Sequence, residues 1–275
     1  TVFDETTTNE SLYEDSVRNV IPGLLDGESA TVFAYGQTGS GKTFTMMGDE
    51  DKLGIMAMAA LDLFHIVKLP EFQDHSLAVS MFEIYGGKLL DLLNNRETIR
   101  CLEDEHGQVQ FPSLSNHEMD THVDFLEILK CGNLNRSTGT TSRNADSSRS
   151  HAVVQLHIRQ DDDSISRLTL LDLAGSERGS DTAKFAKSTR MEGAEINTSL
   201  LCLKEVLRAM ATGSHVPYRG SKLTQVLKDS FINCTCIMIA CVAPDVSNCE
   251  PTLNTLRYAD RVKQRDPKTG ALSTD

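Results

Sequence analysis

Gly36-Gln37-Thr38-Gly39-Ser40-Gly41-Lys42-Thr43 is the stretch whose reading decides the fold. It meets the phosphate-binding pattern G-x-x-x-x-G-K-[ST] at every position. Ahead of it runs Ala30-Thr31-Val32-Phe33-Ala34-Tyr35, a short apolar segment rich in β-formers. A strand that delivers a glycine-rich loop is the context in which this pattern binds phosphate. The glycines let successive backbone N–H groups converge on one point, where a polyphosphate can sit. Lys42 has the reach for the outer phosphates, and the Thr43 hydroxyl suits Mg²⁺. A Gly/Ser-rich turn that carried a lysine by chance would lack the strand in front.

Outward from this loop, strand-like and helix-like patterns alternate along the whole chain. Strands are expected over 30–35, 77–85, 152–159, 167–172 and 236–242. Helices are expected over 10–25, 54–67, 121–134, 194–210, 222–231 and 252–263. In the fourth helix Ile196, Leu200, Leu203, Leu207 and Met210 recur at three- and four-residue spacing, one buried stripe that Lys204 and Arg208 avoid. Such alternation predicts an α/β domain with a central sheet covered by helices on both faces. In open sheets of that kind the ligand lies beyond the carboxyl ends of the strands. Asp161-Asp162-Asp163 reads as an exposed turn between two strands, and no linker divides the chain.

Composition narrows the partners. The 275 residues are 39% hydrophobic and 24% charged, the profile of an ordinary globular protein. No apolar run approaches a membrane span, and no leader segment opens the sequence, which starts at Thr1. Seven scattered cysteines read as reduced thiols of a cytosolic protein, and Cys234-Thr235-Cys236 lacks the spacing of a zinc site. The net charge of −12 argues against a nucleic-acid binder. Nine basic residues against five acidic ones between Arg178 and Asp229 nevertheless make that segment basic. On charge alone this reads as an ordinary solvated mixed surface, or else as a basic face for an acidic partner met from one side.

Two further segments carry chemistry. Asn144-Ala145-Asp146-Ser147-Ser148-Arg149-Ser150-His151 packs small hydroxyls beside an arginine, a set suited to phosphate, metal and water. Leu170-Leu171-Asp172-Leu173-Ala174-Gly175-Ser176-Glu177-Arg178 ends a strand in the D-x-x-G arrangement of a switch loop. Asp172 is expected to approach Mg²⁺ through water, and the Gly175 N–H to be free for the γ-phosphate. Glu177 is expected to pair with Arg149 across the site, closing only when a γ-phosphate is present. No N-K-x-D sequence favours guanine over adenine.

These three segments, in this order, resemble the kinesin motor domain. The resemblance runs from Thr1-Val2-Phe3-Asp4-Glu5 to Leu256-Arg257-Tyr258-Ala259-Asp260-Arg261. It includes Phe82-Glu83-Ile84-Tyr85 and Val216-Pro217-Tyr218-Arg219-Gly220-Ser221-Lys222-Leu223-Thr224. Arg190-Met191-Glu192-Gly193-Ala194-Glu195-Ile196-Asn197, the Leu203-Lys204-Glu205 that follows it, and Cys101-Leu102-Glu103-Asp104 are similar to the kinesin-13, internal-motor group. Members of that group use ATP to bend and remove tubulin at microtubule ends. The group's Lys-Glu-Cys triplet reads Lys204-Glu205-Val206 here. The family's first strand, with its adenine-stacking R-x-R-P, and a loop with a Lys-Val-Asp tip would precede Thr1, so the sequence reads as a piece of a longer chain.

The resemblance implies a P-loop NTPase-type, three-layer α/β domain over residues 1–264, with a mostly parallel mixed sheet, and a loosely ordered tail over 265–275. It implies ATP and Mg²⁺ as ligands, with Gly36, Gln37, Thr38, Gly39, Ser40, Gly41, Lys42 and Thr43 around the phosphates and Phe44 on the adenine side. Thr43, Ser148 and Asp172 are the metal set. Asn144, Ser147, Ser148, Arg149, Gly175 and Glu177 form the sensing and water-positioning set. Lys184, Lys187, Arg190, Lys204, Arg208, Arg219 and Lys222 are the microtubule contacts. The implied place is the microtubule cytoskeleton of the cytoplasm, with any dimer formed through segments outside this chain. A walking motor, or a tubulin-binding module with impaired hydrolysis, are the alternative readings.

Overall fold

A computed structural model of the chain describes residues 1–138, 148–160, 165–177, 187–232 and 234–263. The acidic turn at 161–163 and the tail at 265–275 lie outside them. Strands run over β1 (Ala30–Tyr35), β2 (Ser76–Tyr85), β3 (Lys88–Asp91), β4 (Glu97–Ile99), β5 (Leu102–Glu103), β6 (Val109–Gln110), β7 (His117–Met119), β8 (His151–Arg159), β9 (Ile165–Asp172) and β10 (Thr235–Ala240). Helices run over α1 (Asn9–Ser16), α2 (Ile21–Leu25), α3 (Lys42–Met47), α4 (Ile55–Val67), α5 (His122–Thr138), α6 (Lys187–Ala211), α7 (Lys222–Val226), α8 (Lys228–Ile232) and α9 (Cys249–Lys263).

The eight-stranded main sheet follows the order β10-β1-β9-β8-β2-β3-β4, with β7 beside β2. Its parallel pairs sit around the phosphate loop, where β1 lies between β10 and β9. Every other pairing is antiparallel. In register, Tyr35 lies opposite Ala240 and Ala34 opposite Asp172, so three carboxyl ends open at one edge. That edge is where such a sheet leaves room for a ligand.

Every residue of β1 is buried, because helices cover both faces. Val32 and Ala34 pack with α1, α2, α4 and α5 in one core, while Phe33 and Tyr35 pack with α6, α7 and α9 in the other. The period-two alternation of a strand thus feeds two separate cores. On the second side the stripe Leu200, Leu203 and Leu207 of α6 meets Leu171 and Val153 of the sheet.

The departures from the sequence reading have local causes. The single helix expected over 10–25 breaks into α1, a 3-10 turn at Arg18–Val20, and α2. Pro22 lacks an N–H and fits only a first turn, so it begins α2 and cannot continue α1. The helix expected over 222–231 divides at Leu227 into α7 and α8. The short strands β3 to β7 have two to four residues each, too few for alternation to register.

His157 of β8 is buried, with its Nε2 3.2 Å from the Ser80 hydroxyl of β2. Burial, then Arg167 and Arg159, push its pKa down to about 3. It is therefore neutral in the fold and protonates near pH 6.5 once unfolded, so acid favours the unfolded chain. Between pH 6.5 and 5 each such histidine should remove up to ~1.4 kcal/mol of stability per pH unit. Urea unfolding should show this fall, and His157→Gln should flatten it; a wild-type stability unchanged between pH 7 and 5 would contradict the assignment.

Candidate nucleotide-binding site

The phosphate loop joins β1 to α3. Gly41, with φ 94°, stands at the N-cap of α3 in the left-handed region that favours glycine. Gly36 has no room for a side chain, since a Cβ there would meet the Cys241 carbonyl oxygen of the neighbouring strand end at 2.2 Å. Lys42 is only 6% exposed, and its Nζ donates to the Gln37 carbonyl at 2.8 Å. The same carbonyl accepts from the Ser40 hydroxyl at 2.8 Å. Burial pushes the Lys42 pKa down, while Asp172 and Glu177 act against that shift. A buried ammonium satisfied by its own loop is poised to exchange a carbonyl for a phosphate oxygen.

Asp172, at the end of β9, is fully buried. Its Oδ2 accepts from the Thr43 hydroxyl at 2.8 Å and from Arg136 Nη1 at 3.2 Å. Its Oδ1 is buried without a hydrogen-bond partner among the described residues. A buried carboxylate oxygen with no donor is costly unless something cationic or a bound water meets it. With the Thr43 hydroxyl beside it, this donor set fits a hydrated Mg²⁺, a cation that takes oxygen ligands and keeps much of its water. Arg136 of α5, which the sequence reading did not single out, also donates from Nε to the Ser150 hydroxyl at 3.0 Å and from Nη2 to the Ser150 carbonyl at 2.9 Å. It ties Ser150, at the end of the hydroxyl-rich segment 144–151 (the first switch, the D-x-x-G loop being the second), to the Asp172 carboxylate. The only sequence signal for it was its place in a polar stretch just after the helix expected over 121–134.

A histidine joins the two switch segments. The Ala174 N–H donates to His151 Nδ1 at 3.0 Å. The ring proton therefore sits on Nε2, which donates to the Ser199 hydroxyl of α6 at 2.9 Å. Ser199 in turn donates to the Ile196 carbonyl at 2.7 Å. Burial pushes the His151 pKa down to about 3, so it holds this tautomer across the physiological range. The first switch, the second switch and the long helix α6 thus share one imidazole.

The structure corrects one expectation about the second switch. The Gly175 N–H is not free; it donates to the Ser148 carbonyl at 3.4 Å. Glu177, expected to meet Arg149 only once a γ-phosphate is present, here accepts from the Thr38 N–H at Oε2 (2.8 Å) and from the Thr38 hydroxyl at Oε1. The loop amides present their donors to a carboxylate, the nearest anion available to them. A Cβ on Gly175 would meet the Thr38 hydroxyl at 2.2 Å, so only glycine allows this approach. Asn144 and Ser147 lie outside the described residues. Phe44 is 39% exposed at the rim, with Lys52 Nζ 5.9 Å from its ring.

The family model of the kinesin motor domain matches residues 1–265. The chain belongs to the kinesin family. It is similar to the solved structure of a KIF14 dimer in a two-heads-bound state, with AMP-PNP and in complex with a microtubule. That match has 36% identity and a TM-score of 0.83, and covers 93% of this chain and 76% of that one. It is also similar to a fast kinesin solved for its ATPase mechanism and microtubule interactions. That match has 31% identity and a TM-score of 0.84, and covers 95% of this chain and 78% of that one.

On this kinesin motor domain the expected basic contacts distribute unevenly. Lys204 of α6 holds its Nζ 5.9 Å from the Tyr258 ring of α9, and Arg208 is exposed. Arg219 is exposed in the 3-10 turn Tyr218–Gly220. Lys222, half-buried, donates to Gln225 Oε1 at 3.1 Å. It lines a cavity of about 120 Å³ together with Arg149 and Glu195, so the first switch and the start of α7 share a wall. Lys184 lies outside the described residues, and Lys187 and Arg190 belong to the first turns of α6.

Breaking the Arg136–Asp172 pair should leave a buried charge uncompensated. Arg136→Met is expected to cost ~3–5 kcal/mol in urea unfolding. Adding Asp172→Asn should restore part of that loss. Simple additivity of the two changes would mean the pair does not carry the energy.

Proposed function

We propose that this chain is an ATP-dependent microtubule motor domain that hydrolyses ATP and couples the state of its γ-phosphate site to tubulin. One observation carries this reading: the phosphate loop, both switch segments and α6 are joined by Thr43–Asp172–Arg136, Thr38–Glu177 and Ala174–His151–Ser199. The amides of 36–43 and Lys42 would hold the phosphates, with Phe44 toward the adenine. Thr43, Ser148 and Asp172 would hold Mg²⁺, which when bound neutralises phosphate charge as it develops.

Glu177 is the residue for proton relay from the attacking water. It rests on Thr38 and must leave that contact for an anion to use the same amide, so nucleotide entry itself would free it for catalysis. Arg149, beside the cavity that α6 and α7 share, is then the partner it would gain. Asn144 and Ser147 complete the sensing set in this reading.

The output reaches tubulin through α6 and the turn before α7. Tubulin's acidic surface suits Arg208, Arg219 and Lys222, with Lys184, Lys187, Arg190 and Lys204 as further contacts. The residues around Leu203-Lys204-Glu205 favour removal of tubulin from microtubule ends, as in the kinesin-13 group. The likeness to a fast kinesin favours a second reading, a motor that walks.

Stabilised microtubules incubated with the protein and ATP, then sedimented, distinguish the two: tubulin released to the supernatant marks a depolymerase, and intact gliding filaments mark a walker. Glu177→Ala should retain ATP binding and lose hydrolysis by roughly 10²–10⁴-fold. Wild-type turnover in that variant would remove Glu177 from the mechanism. Arg219→Ala with Lys222→Ala should weaken co-sedimentation about tenfold at low salt, and unchanged binding would move the interface elsewhere.

A further inference from the structure

Hairpin β5–β6 is clamped onto α8 at three points. The Val109 N–H donates to Asp229 Oδ2 at 2.8 Å, and Lys228 Nζ donates to the Gly107 carbonyl at 2.7 Å. Lys228 also pairs with Glu103 Oε2 at 3.1 Å. The same carboxylate accepts from Arg219, at 3.4 Å from Nε and 3.3 Å from Nη2. Glu103 is thus shared between two cations of different standing. Lys228 is 15% exposed and fixed by a second bond, whereas Arg219 is 81% exposed and held only at long distance. Lys228 first, then Arg219, hold the Glu103 carboxyl below its ordinary range.

We propose that Glu103 is an intramolecular competitor for Arg219, which the acidic partner must displace, so that this hairpin carboxylate sets how strongly the basic face binds. The inference rests on the reading of Arg219 as a microtubule contact. An exposed ion pair with long bonds is weak enough to exchange, and a partner surface carrying many carboxylates outcompetes one. When Arg219 leaves, Lys228 still neutralises Glu103 and the hairpin stays docked through Gly107 and Val109. The exchange therefore costs no refolding. The carboxylate lowers affinity without contributing to the hairpin's anchorage at those two points.

The test is co-sedimentation with stabilised microtubules in a non-hydrolysable ATP analogue, across a salt series, on Glu103→Gln, Arg219→Ala and the double variant. Glu103→Gln should tighten binding roughly two- to fivefold at low salt, with the gain shrinking as salt rises. In the Arg219→Ala background the gain should disappear. Glu103→Asp, which keeps the charge but shortens its reach to Arg219, should tighten binding in the same direction by less. A Glu103→Gln affinity equal to or weaker than wild type overturns the proposal. So does the same gain with Arg219 absent. Thermal unfolding of each variant identifies one that has lost its fold, in which case Glu103→Asp decides alone. A wild-type protein that fails to sediment with microtubules would instead refute the proposed function.

Discussion

The rest of the site depends on one buried carboxylate. Asp172 ends β9 with no exposure to solvent, and its Oδ2 is shared by Thr43 on the phosphate loop and Arg136 on α5. Burying a charge is tolerable only when partners meet it, so three elements must arrive together. β1 must deliver the loop, α5 must present its arginine, and β9 must stop at this register opposite Ala34. The same demand leaves Oδ1 without a donor among the described residues, so this carboxylate fits a hydrated cation. Fold and site are therefore one constraint: the sheet order that fills two cores also places the orphaned oxygen at the ligand edge.

A second joint converts that fixed point into something movable. His151 is neutral and fully engaged, receiving the Ala174 N–H and donating to Ser199. Any shift of Ala174 and Gly175 must either carry the imidazole or break a buried bond, and an unmade buried bond costs about 1–3 kcal/mol. Moving the ring pulls on α6, which is locked on that same buried side by Leu200, Leu203 and Leu207. A helix held so along its length would move as a body, and in the proposed function that motion would carry a small change near a phosphate to the basic face. The chain of contacts gives coupling a route through His151, which the closeness in sequence of 172–178 and α6 does not.

What the sequence made legible follows from the range of each interaction. The loop 36–43, the strands β1, β2, β8, β9 and β10, and the stripe on α6 were readable because local pattern and burial agree there. Asp172 and Thr43 were readable because their motifs are contiguous. Arg136, Ser199 and the Thr38–Glu177 contact were not, because each is made across 36 to 139 residues of chain. Pairings at that distance follow from sheet order, which periodicity does not encode. The resting partner of Glu177 was illegible for a related reason: motif order identifies which charges share a site, and the donors already within reach decide which of them bond.

The two ends of the molecule use charge in opposite ways. Around Asp172 the ions are dry, so each pairing is worth several kcal/mol and a wrong one is excluded. Around Arg219 the ions are wet, and the pair with Glu103 is held at 3.3 Å. There each pairing is worth little and exchanges freely with solvent or a partner. A motor needs both regimes. The dry network must be stiff enough to register the presence of one phosphate group, and the wet one loose enough to release its track in every cycle. Strengthening Arg219's internal pair would make the surface a poorer binder, and removing it a stickier one. A single glutamate on a two-residue strand is a small lever for that balance, and it works because the hairpin beneath it is pinned by Lys228 and Asp229 instead.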